Sequence, residues 1–266
     1  MSNGNDTMET IAGDLYDYPQ YYDLVFGSDW KAEFDFLRAC FAKHVDGRVR
    51  RLFEPACGTG RLVFRLSKSG YQVSGLDLND KAVAYCNARL RRHGFEESCF
   101  VADMTDFALA KPVDAAFNMI NSFRHLQSEA AARAHLERMA DCLRTGGVYI
   151  LGLHLTPEEG EPCEEESWSA TRGHLCVNTC LRSTRRDLEA REEWCAMRYD
   201  VYTPTRSLRI EDTVVFRTYT ARQMQRLINR VGRLEVVGTY DFAYQIGRPI
   251  SVSPHTEDVV YVLKKR

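Results

Sequence analysis

One short segment of the sequence carries the clearest chemical potential: Glu54-Pro55-Ala56-Cys57-Gly58-Thr59-Gly60-Arg61. The apolar residues before it are typical of a strand, and the residues after it recur at helical spacing, so the segment joins a strand to a helix. Glycines at such a turn let the backbone approach a ligand closely, and the free N–H groups of a helix start favour negative charge. The segment therefore predicts a small-molecule site at the end of the first core strand.

Acidic residues follow the next two predicted strands. Asp77 stands in Gly75-Leu76-Asp77-Leu78-Asn79, where a carboxylate can accept both hydroxyls of a ribose. Ala102-Asp103-Met104 follows the third strand and offers an acceptor for an adenine amino group beside an apolar face. Together the three strand ends predict one adenosine-containing ligand. A dinucleotide fingerprint needs a third small residue where Val63 stands, so an NAD oxidoreductase is only the fold-level rival.

Alternating strands and helices must position these residues. The predicted core strands are 50–54, 71–77, 98–101, 113–118 and 148–153, with helices after the first, second and fourth. An earlier helix presents Trp30, Phe34, Leu37 and Phe41 at steps of three and four. This alternation indicates a doubly wound α/β fold with a parallel sheet.

The alternation of strands and helices ends after His154. Three segments, 173–182, 191–202 and 207–217, alternate like antiparallel strands and predict an inserted β layer. Helical spacing returns at 220–231, and two strands, 234–241 and 258–264, close the chain.

The three strand-end motifs resemble those of the class I methyltransferases that use S-adenosylmethionine. Residues 54–61 look like their first motif, 76–79 like the second and 102–104 like the third. The resemblance implies S-adenosylmethionine as the cofactor, with Gly58 and Gly60 under its methionine part, Glu54 and Cys57 near its amino and carboxylate ends, Asp77 on the ribose, and Asp103 and Met104 on the adenine. The implied cofactor-binding residues are Tyr16, Tyr21, Tyr22, Glu54, Ala56, Cys57, Gly58, Gly60, Arg61, Asp77, Leu78, Asp103, Met104 and Asn118.

The sequence also resembles the small-molecule methyltransferases of the sugar-amine and glycine type, and this resemblance implies the domain layout. We expect a Rossmann-like, mostly parallel seven-stranded core over 49–153 and 218–266. An N-terminal helical lid over 1–48 would shield the sulfonium with its tyrosines, and an inserted antiparallel layer over 154–217 would cover the acceptor. Plain helix packing of the tyrosines is the alternative for the lid. For the insertion, whose approach carries Glu164, Glu165, Glu166, Trp168 and Arg172, the alternative is a solvated acidic loop.

Three residues are candidates for catalysis because ligands bind beyond the carboxyl ends of strands in open α/β sheets. The resemblance places Asn118 beside the transferred methyl. His125 is a candidate general base or a polar residue at a helix entry, and His154 faces the pocket or ends its strand. Met119 and Ile120 stand where nucleic-acid amino methyltransferases have prolines, which argues against base methylation. We therefore expect methyl transfer to an amine or hydroxyl of a small molecule, with Arg124 or Arg172 as partners if the acceptor is a carboxylate.

Composition narrows the alternatives. The chain has 266 residues and a net charge of −2, which excludes a disulfide-stapled miniprotein and argues against disorder and against nucleic-acid binding by bulk charge. Nine cysteines without a CxxC pair indicate free thiols in a reducing cytoplasm and no zinc site, and no apolar run is long enough to span a membrane. An RNA or protein methyltransferase using Arg182, Arg185 and Arg186 stays an alternative, as does a module that binds the cofactor without turnover. The sequence leaves a homodimer open.

Overall fold

The computed structural model describes residues 8–28, 30–158 and 164–266, which form two compact units. Twelve strands and six α-helices occur in this part of the chain. In chain order they are β1 (Glu9–Ala12), α1 (Pro19–Gly27), α2 (Lys31–His44), β2 (Arg51–Pro55), α3 (Arg61–Lys68), β3 (Gln72–Asp77), α4 (Asp80–Arg92), β4 (Cys99–Val101), β5 (Val113–Asn118), α5 (Glu129–Cys142), β6 (Leu143–His154), β7 (Glu165–Arg172), β8 (Leu175–Asp187), β9 (Glu192–Thr203), β10 (Arg206–Arg217), α6 (Ala221–Val231), β11 (Leu234–Tyr240) and β12 (Asp258–Lys265).

The larger unit contains a seven-stranded sheet in the order β11-β12-β6-β5-β2-β3-β4. The five strands from β6 to β4 are parallel to one another, whereas β12 is antiparallel to both β6 and β11. The expected mostly parallel α/β fold is confirmed. In this order the carboxyl ends of β2, β3 and β5 lie side by side.

Helices cover both faces of this sheet because its central strands are apolar on both sides. Along β5, Ala115 and Phe117 pack into one buried cluster and Ala116 into the other. The first cluster includes the apolar faces of α2, α3 and α4, and the second includes those of α5 and α6. Phe34, Leu37 and Phe41 are buried on α2, as their spacing predicts.

The smaller unit is a five-stranded sheet, β1-β10-β9-β8-β7, formed by residues 8–28 and 164–216. Strands β7, β8 and β9 are antiparallel, and β1 pairs in parallel with β10. Leu24 and Val25 of α1 share a buried cluster with residues of β8, β9 and β10, including Val177, Tyr199 and Ile210.

The structure divides the N-terminal region at residue 29 rather than at the expected boundary of 48. Residues 8–28 belong to the smaller unit, where β1 extends the sheet, and α2 belongs to the larger unit because its apolar stripe is buried in that core. The later part of the smaller unit covers residues 164–216 of the described chain. The acidic residues Glu165 and Glu166 lie on the additional strand β7, which the sequence pattern did not predict.

Eight cysteines lie in the described ranges and all are free thiols, whereas Cys163 lies outside those ranges. Among the described helices, none combines the length and apolar character that a membrane span requires. The same residues contain no cluster of three or more His, Cys, Asp or Glu side chains suited to a metal ion.

Candidate active site

The glycine segment forms a tight loop between β2 and α3. Gly60 precedes α3 with φ of +69°, and a Cβ at this residue would lie 2.0 Å from Sγ of Cys86. Gly58 and Ala56 also have positive φ, +51° in each case. A non-glycine residue in this region is strained by about 1 kcal/mol or more, and such strain concentrates at ligand sites. The loop thus presents a cradle of backbone at the start of α3, which has no side-chain cap.

Two buried oxygens beside this loop have no hydrogen-bond partner among the described residues. They are Oε2 of Glu54, at the end of β2, and Oδ1 of Asn118, at the end of β5. Nδ2 of Asn118 donates to the carbonyl of Pro55 at 2.8 Å, so the two side chains belong to one corner of the sheet. Since buried polar atoms are almost always paired, the corner is suited to a ligand that brings hydrogen-bond donors. The α-ammonium group of S-adenosylmethionine is such a donor, so the residues present fit the cofactor.

The guanidinium of Arg61 supplies the positive charge of the corner and is held in a buried ion pair. Nη2 of Arg61 lies 2.6 Å from Oε2 of Glu33, and the two side chains are 11% and 6% exposed. Burial raises the pKa of Glu54 well above its ordinary range, and Arg61 opposes that shift. Glu33 was not predicted as a site residue, because its connection to Arg61 joins α2 to α3 and leaves no local signal in the sequence.

Asp77 is the last residue of β3, and its carboxylate is hydrogen-bonded to the glycine loop. Its Oδ2 accepts the N–H of Gly58 at 2.7 Å, and its Oδ1 accepts the N–H of Asn79 at 2.9 Å. Burial raises the pKa of Asp77, against the lowering effect of these backbone donors. A carboxylate has about four lone-pair sites, so acceptor capacity is left for a ribose hydroxyl. Asn79, and not Asp77, caps α4, and Leu78 beside it is 69% exposed, as an apolar surface awaiting a ring would be.

The loop after β4 carries Asp103 and Met104. Oδ1 of Asp103 accepts both the N–H and the hydroxyl of Thr105, at 2.7 and 2.8 Å. The Met104 side chain is buried in the core, and its carbonyl lies 2.9 Å from Nδ1 of His135. Nε2 of His135 lies 2.9 Å from the hydroxyl of Tyr149. His135, which the sequence analysis did not single out, therefore holds this loop from inside the core.

Cys57 points away from the ligand cradle. Its Sγ packs beneath the loop, where a Cβ on Gly75 would lie 2.9 Å away. Neighbouring thiols Cys86 and Cys99, whose sulfurs are 3.4 Å apart, and burial all raise the pKa of Cys57. An inert thiol of this kind is a small packing residue, and only its backbone faces the loop.

The two candidate histidines have different surroundings. His125 ends a 3-10 turn, Ser122–His125, in the loop after β5, and burial together with Arg124 lowers its pKa to about 4. His154 ends β6, and its Nδ1 lies 2.7 Å from Oδ1 of Asp258. Arg124 is 5% exposed, and its Nε donates to the carbonyl of Arg217, so it is a structural residue of the core.

The three tyrosines expected at the cofactor lie in the smaller unit. Tyr16 and Tyr22 have ring centroids 5.7 Å apart, and burial raises the pKa of Tyr16, with a further contribution from Tyr22. Tyr21 packs against the buried cluster of that unit. Their contact with the cofactor stays a prediction.

Charged residues of the inserted segment are paired or exposed within their own unit. Glu164, Glu165 and Glu166 are exposed, and Arg172 pairs with Asp23 at 3.3 Å. Arg186 pairs with the buried carboxylate of Glu193, and Arg185 pairs with Asp187 and lies over the Trp194 ring. Two of the three arginines considered for RNA, Arg185 and Arg186, are therefore paired with carboxylates.

Comparisons with known proteins agree with this geometry. Residues 53–147 match a family model described as a methyltransferase domain. A relative from Streptomyces fradiae, dTDP-3-amino-3,6-dideoxy-alpha-D-glucopyranose N,N-dimethyltransferase, is 28% identical over 229 residues, which cover 83% of this chain and 87% of the relative.

Two solved structures show the same fold. The sugar N-methyltransferase KedS8 from Streptoalloteichus is 20% identical with a TM-score of 0.72, and the match covers 100% of this chain and 99% of that chain. An amino pentose methyltransferase from Micromonospora echinaspora, solved with S-adenosylmethionine bound, is 20% identical with a TM-score of 0.70, covering 97% and 99% of the two chains.

The matched domain spans the glycine loop, Asp77, Asp103 and Asn118, which are the residues expected to hold the cofactor. The cofactor is therefore S-adenosylmethionine, and the protein is a methyltransferase. The chain carries a methyltransferase domain over residues 53–147 and resembles the class I S-adenosylmethionine-dependent methyltransferases of the sugar-amine type.

Proposed function

We propose that the enzyme methylates the amino group of a deoxy amino sugar carried on a nucleoside diphosphate. The main support for this proposal is the similarity to the relative from Streptomyces fradiae. That enzyme is named for methylating such a sugar, and the alignment covers most of both chains. The unpartnered oxygens of Glu54 and Asn118 support the cofactor half of the proposal, because they place hydrogen-bond acceptors where the amino-acid end of the cofactor would lie.

S-adenosylmethionine supplies a methyl group on a sulfonium, which is activated for in-line transfer to a nucleophile. The chain itself needs to bind the cofactor and the acceptor, to orient them in line for methyl transfer, and to exclude water from the site. Glu54 and Arg61 would hold the amino and carboxylate groups of the methionine end. Asp77 would hold the ribose, with Leu78 and the 103–104 loop around the adenine.

An amine is favoured over a hydroxyl as the acceptor. A neutral amine is nucleophilic through its own lone pair, whereas a hydroxyl must lose its proton to a base as it attacks the methyl group. Among the candidates, His125 is a weak base because burial holds its pKa at about 4. The free thiols of the described cysteines suit work in a reducing compartment such as the cytoplasm. The tyrosine lid, the acceptor cover over 154–217 and a homodimer stay predictions.

A paired substrate assay tests the proposal. The purified enzyme is incubated with S-adenosylmethionine and either a dTDP-3-amino-3,6-dideoxyhexose or its 3-hydroxy counterpart, and the products are analysed by mass spectrometry. We expect one or two methyl groups on the amino sugar and none on the hydroxyl sugar. Methylation of the hydroxyl sugar alone, or of neither while S-adenosylmethionine still binds, overturns the proposed acceptor.

An Asp77→Asn variant tests the cofactor half. Loss of one charged acceptor should weaken S-adenosylmethionine binding by roughly 1–3 kcal/mol in calorimetry. Asp80→Asn, at an exposed residue in the first turn of α4, is the matched control and should bind normally.

A further inference from the structure

A histidine and an aspartate lie side by side at the carboxyl end of β6, where β6 pairs with β12 in the larger sheet. His154 is the last residue of β6, Asp258 is the first of β12, and the two are direct partners in the antiparallel register. Nδ1 of His154 lies 2.7 Å from Oδ1 of Asp258. Because a carboxylate only accepts hydrogen bonds, Nδ1 carries the proton and Nε2 keeps its lone pair.

The histidine lies at the same edge as the cofactor corner. β6 runs parallel to β5, with Leu151 beside Asn118, so His154 extends three residues beyond the Asn118 level at the carboxyl ends. Ligands of open α/β sheets bind beyond these ends. The ring is therefore on the side where an acceptor would approach the cofactor.

The loop after β5 fixes the backbone of His154. Oδ1 of Asn121 accepts the His154 N–H at 2.8 Å, and the Asn121 N–H donates to the carbonyl of Gly152 at 3.2 Å. Asn121 adopts a left-handed conformation, φ +54°, to make these contacts. A Cβ on Gly152 would lie 2.4 Å from the carbonyl oxygen of Met119, which shows how closely the loop lies on β6.

The ring itself is held but accessible. It packs edge-on against Phe242, with centroids 5.0 Å apart, and 24% of the side chain is exposed. The elements around it contribute Asp258 from β12, Asn121 from the loop after β5 and Phe242 from the loop after β11. Among the described residues, Asp258 is the charged group within ion-pair distance of the ring.

We propose that His154, oriented by Asp258, is the proton acceptor for the substrate amine, an inference that rests on the proposed function. The substrate ammonium first passes one proton to Nε2 of His154, which frees the lone pair of the amine nitrogen. The nitrogen then forms a bond to the methyl carbon as the bond from that carbon to sulfur breaks, the electron pair stays on sulfur, and the methylated product leaves as an ammonium. Asp258 stabilises the resulting imidazolium, and solvent removes the proton after product release. A second methylation needs the same deprotonation of the monomethylated ammonium.

Two variants separate the roles of the pair. His154→Gln removes the acceptor, and Asp258→Asn keeps the shape but lets the amide donate to Nδ1, which moves the ring proton to Nε2. We expect each variant to lower kcat at pH 7 by about 100-fold, within the usual range for general base catalysis, with unchanged affinity for S-adenosylmethionine. The deficit of His154→Gln should shrink as pH rises past the pKa of the substrate ammonium, and monomethylated product should accumulate.

A readout independent of turnover tests the orientation. In 15N-labelled protein, the ring nitrogens of His154, assigned by comparison with His154→Gln, should show the Nδ1–H tautomer in wild type and the Nε2–H tautomer in Asp258→Asn. His174→Gln, an exposed residue at the β7–β8 turn, is the control and should match wild type in every measurement.

The outcomes distinguish the two proposals. If wild type does not methylate the amino sugar, the proposed function fails, whatever the tautomer. If wild type is active but His154→Gln shows a normal rate and pH profile, the proton-acceptor role is overturned alone. An unchanged tautomer in Asp258→Asn overturns the orienting role of Asp258.

Discussion

At the scale of single residues, Glu54 connects ligand binding to protonation. Burial raises the pKa of this carboxyl well above its ordinary range in the free protein, with Arg61 acting in the opposite direction. A bound ammonium group would stabilise the carboxylate and lower that pKa again. Binding of S-adenosylmethionine should therefore release protons at any pH where Glu54 is protonated in the free protein.

Calorimetry in phosphate and in Tris, two buffers of different ionisation enthalpy, measures this release. We expect the binding enthalpy to depend on the buffer for S-adenosylmethionine but not for 5′-methylthioadenosine, which lacks the ammonium group. In Glu54→Gln the dependence should vanish. Buffer-independent enthalpies for S-adenosylmethionine in wild type would show that Glu54 does not meet the ammonium.

His135 gives the protein an acid sensitivity whose sign follows from its pKa. Burial lowers this pKa from about 6.5 to about 4, so between these values the unfolded chain binds more protons than the folded chain. Stability contributed by the neutral ring is present above pH 6.5 and is lost as pH falls towards 4. Between pH 7 and pH 4.5 the loss should be about 2 to 3 kcal/mol.

Urea unfolding at the two pH values checks this expectation. His135→Phe, although less stable at pH 7, should lose less stability on acidification than wild type by about that amount. His174→Gln should keep the wild-type difference, and His125 contributes with the same sign in all three proteins. Equal acid losses in wild type and His135→Phe would refute the assignment.

The residues proposed to bind ligand directly were visible in the sequence, whereas those that position them were not. Gly60, Asp77 and Asp103 follow predicted strands at recognisable spacings. Glu33, His135 and Asp258 act through partners that are 28, 31 and 104 residues away along the chain. No local pattern reports such pairs, because they exist only once the helices and strands have packed.

At the scale of elements, the close approach of α3 and α4 depends on Gly60. An alanine here would combine a left-handed φ with a Cβ only 2.0 Å from Sγ of Cys86. Gly70, at the end of the same helix, has φ of +89° but nothing within 4 Å of a Cβ. Alanine substitutions at the two glycines therefore distinguish the cost of backbone strain from the cost of steric overlap.

Gly70→Ala should cost about 1–2 kcal/mol of unfolding free energy from the backbone conformation alone. Gly60→Ala should cost several kcal/mol and abolish cofactor binding, since α3 and its N-terminal loop must shift. Adding Cys86→Ala should recover part of the Gly60→Ala loss in a double-mutant cycle measured by urea unfolding. Strict additivity of the two changes would contradict the overlap.

The elements themselves were predictable where apolar periodicity is strong. β5 covers the expected residues 113–118, and α6 agrees with the predicted span of 220–231 to within one residue at each end. β7 was not predicted because most of its side chains, from Glu165 onward, are exposed and give no apolar alternation. β1 has four residues and pairs with a strand about two hundred residues away, so nothing near it in the sequence indicates its partner.

At the scale of the whole molecule, charge argues for a small acceptor. The net charge is −2, and Arg185 and Arg186 are paired with Asp187 and Glu193. Neutralisation of nucleic-acid phosphates would make binding fall steeply with salt. We expect methylation of the amino sugar to change less than about twofold between 50 and 200 mM salt.

Filter binding with total tRNA provides the complementary measurement. No saturable retention is expected at 50 mM salt, where charge-driven association is strongest. Tight, salt-sensitive retention that also inhibits amino-sugar methylation would revive the RNA alternative.

The pairing of β1 with β10 has a consequence for how the chain is made. Glu9 to Ala12 leave the ribosome well before their partners Leu208 to Glu211, which follow almost two hundred residues later. During synthesis the first strand must wait while the whole larger sheet up to β6 emerges and begins to fold. Shortening the N-terminus would leave the hydrogen-bonding groups along β10 uncovered, and an uncovered strand edge recruits other chains. Expression yield, rather than turnover, is therefore where the loss of these few residues would first be noticed.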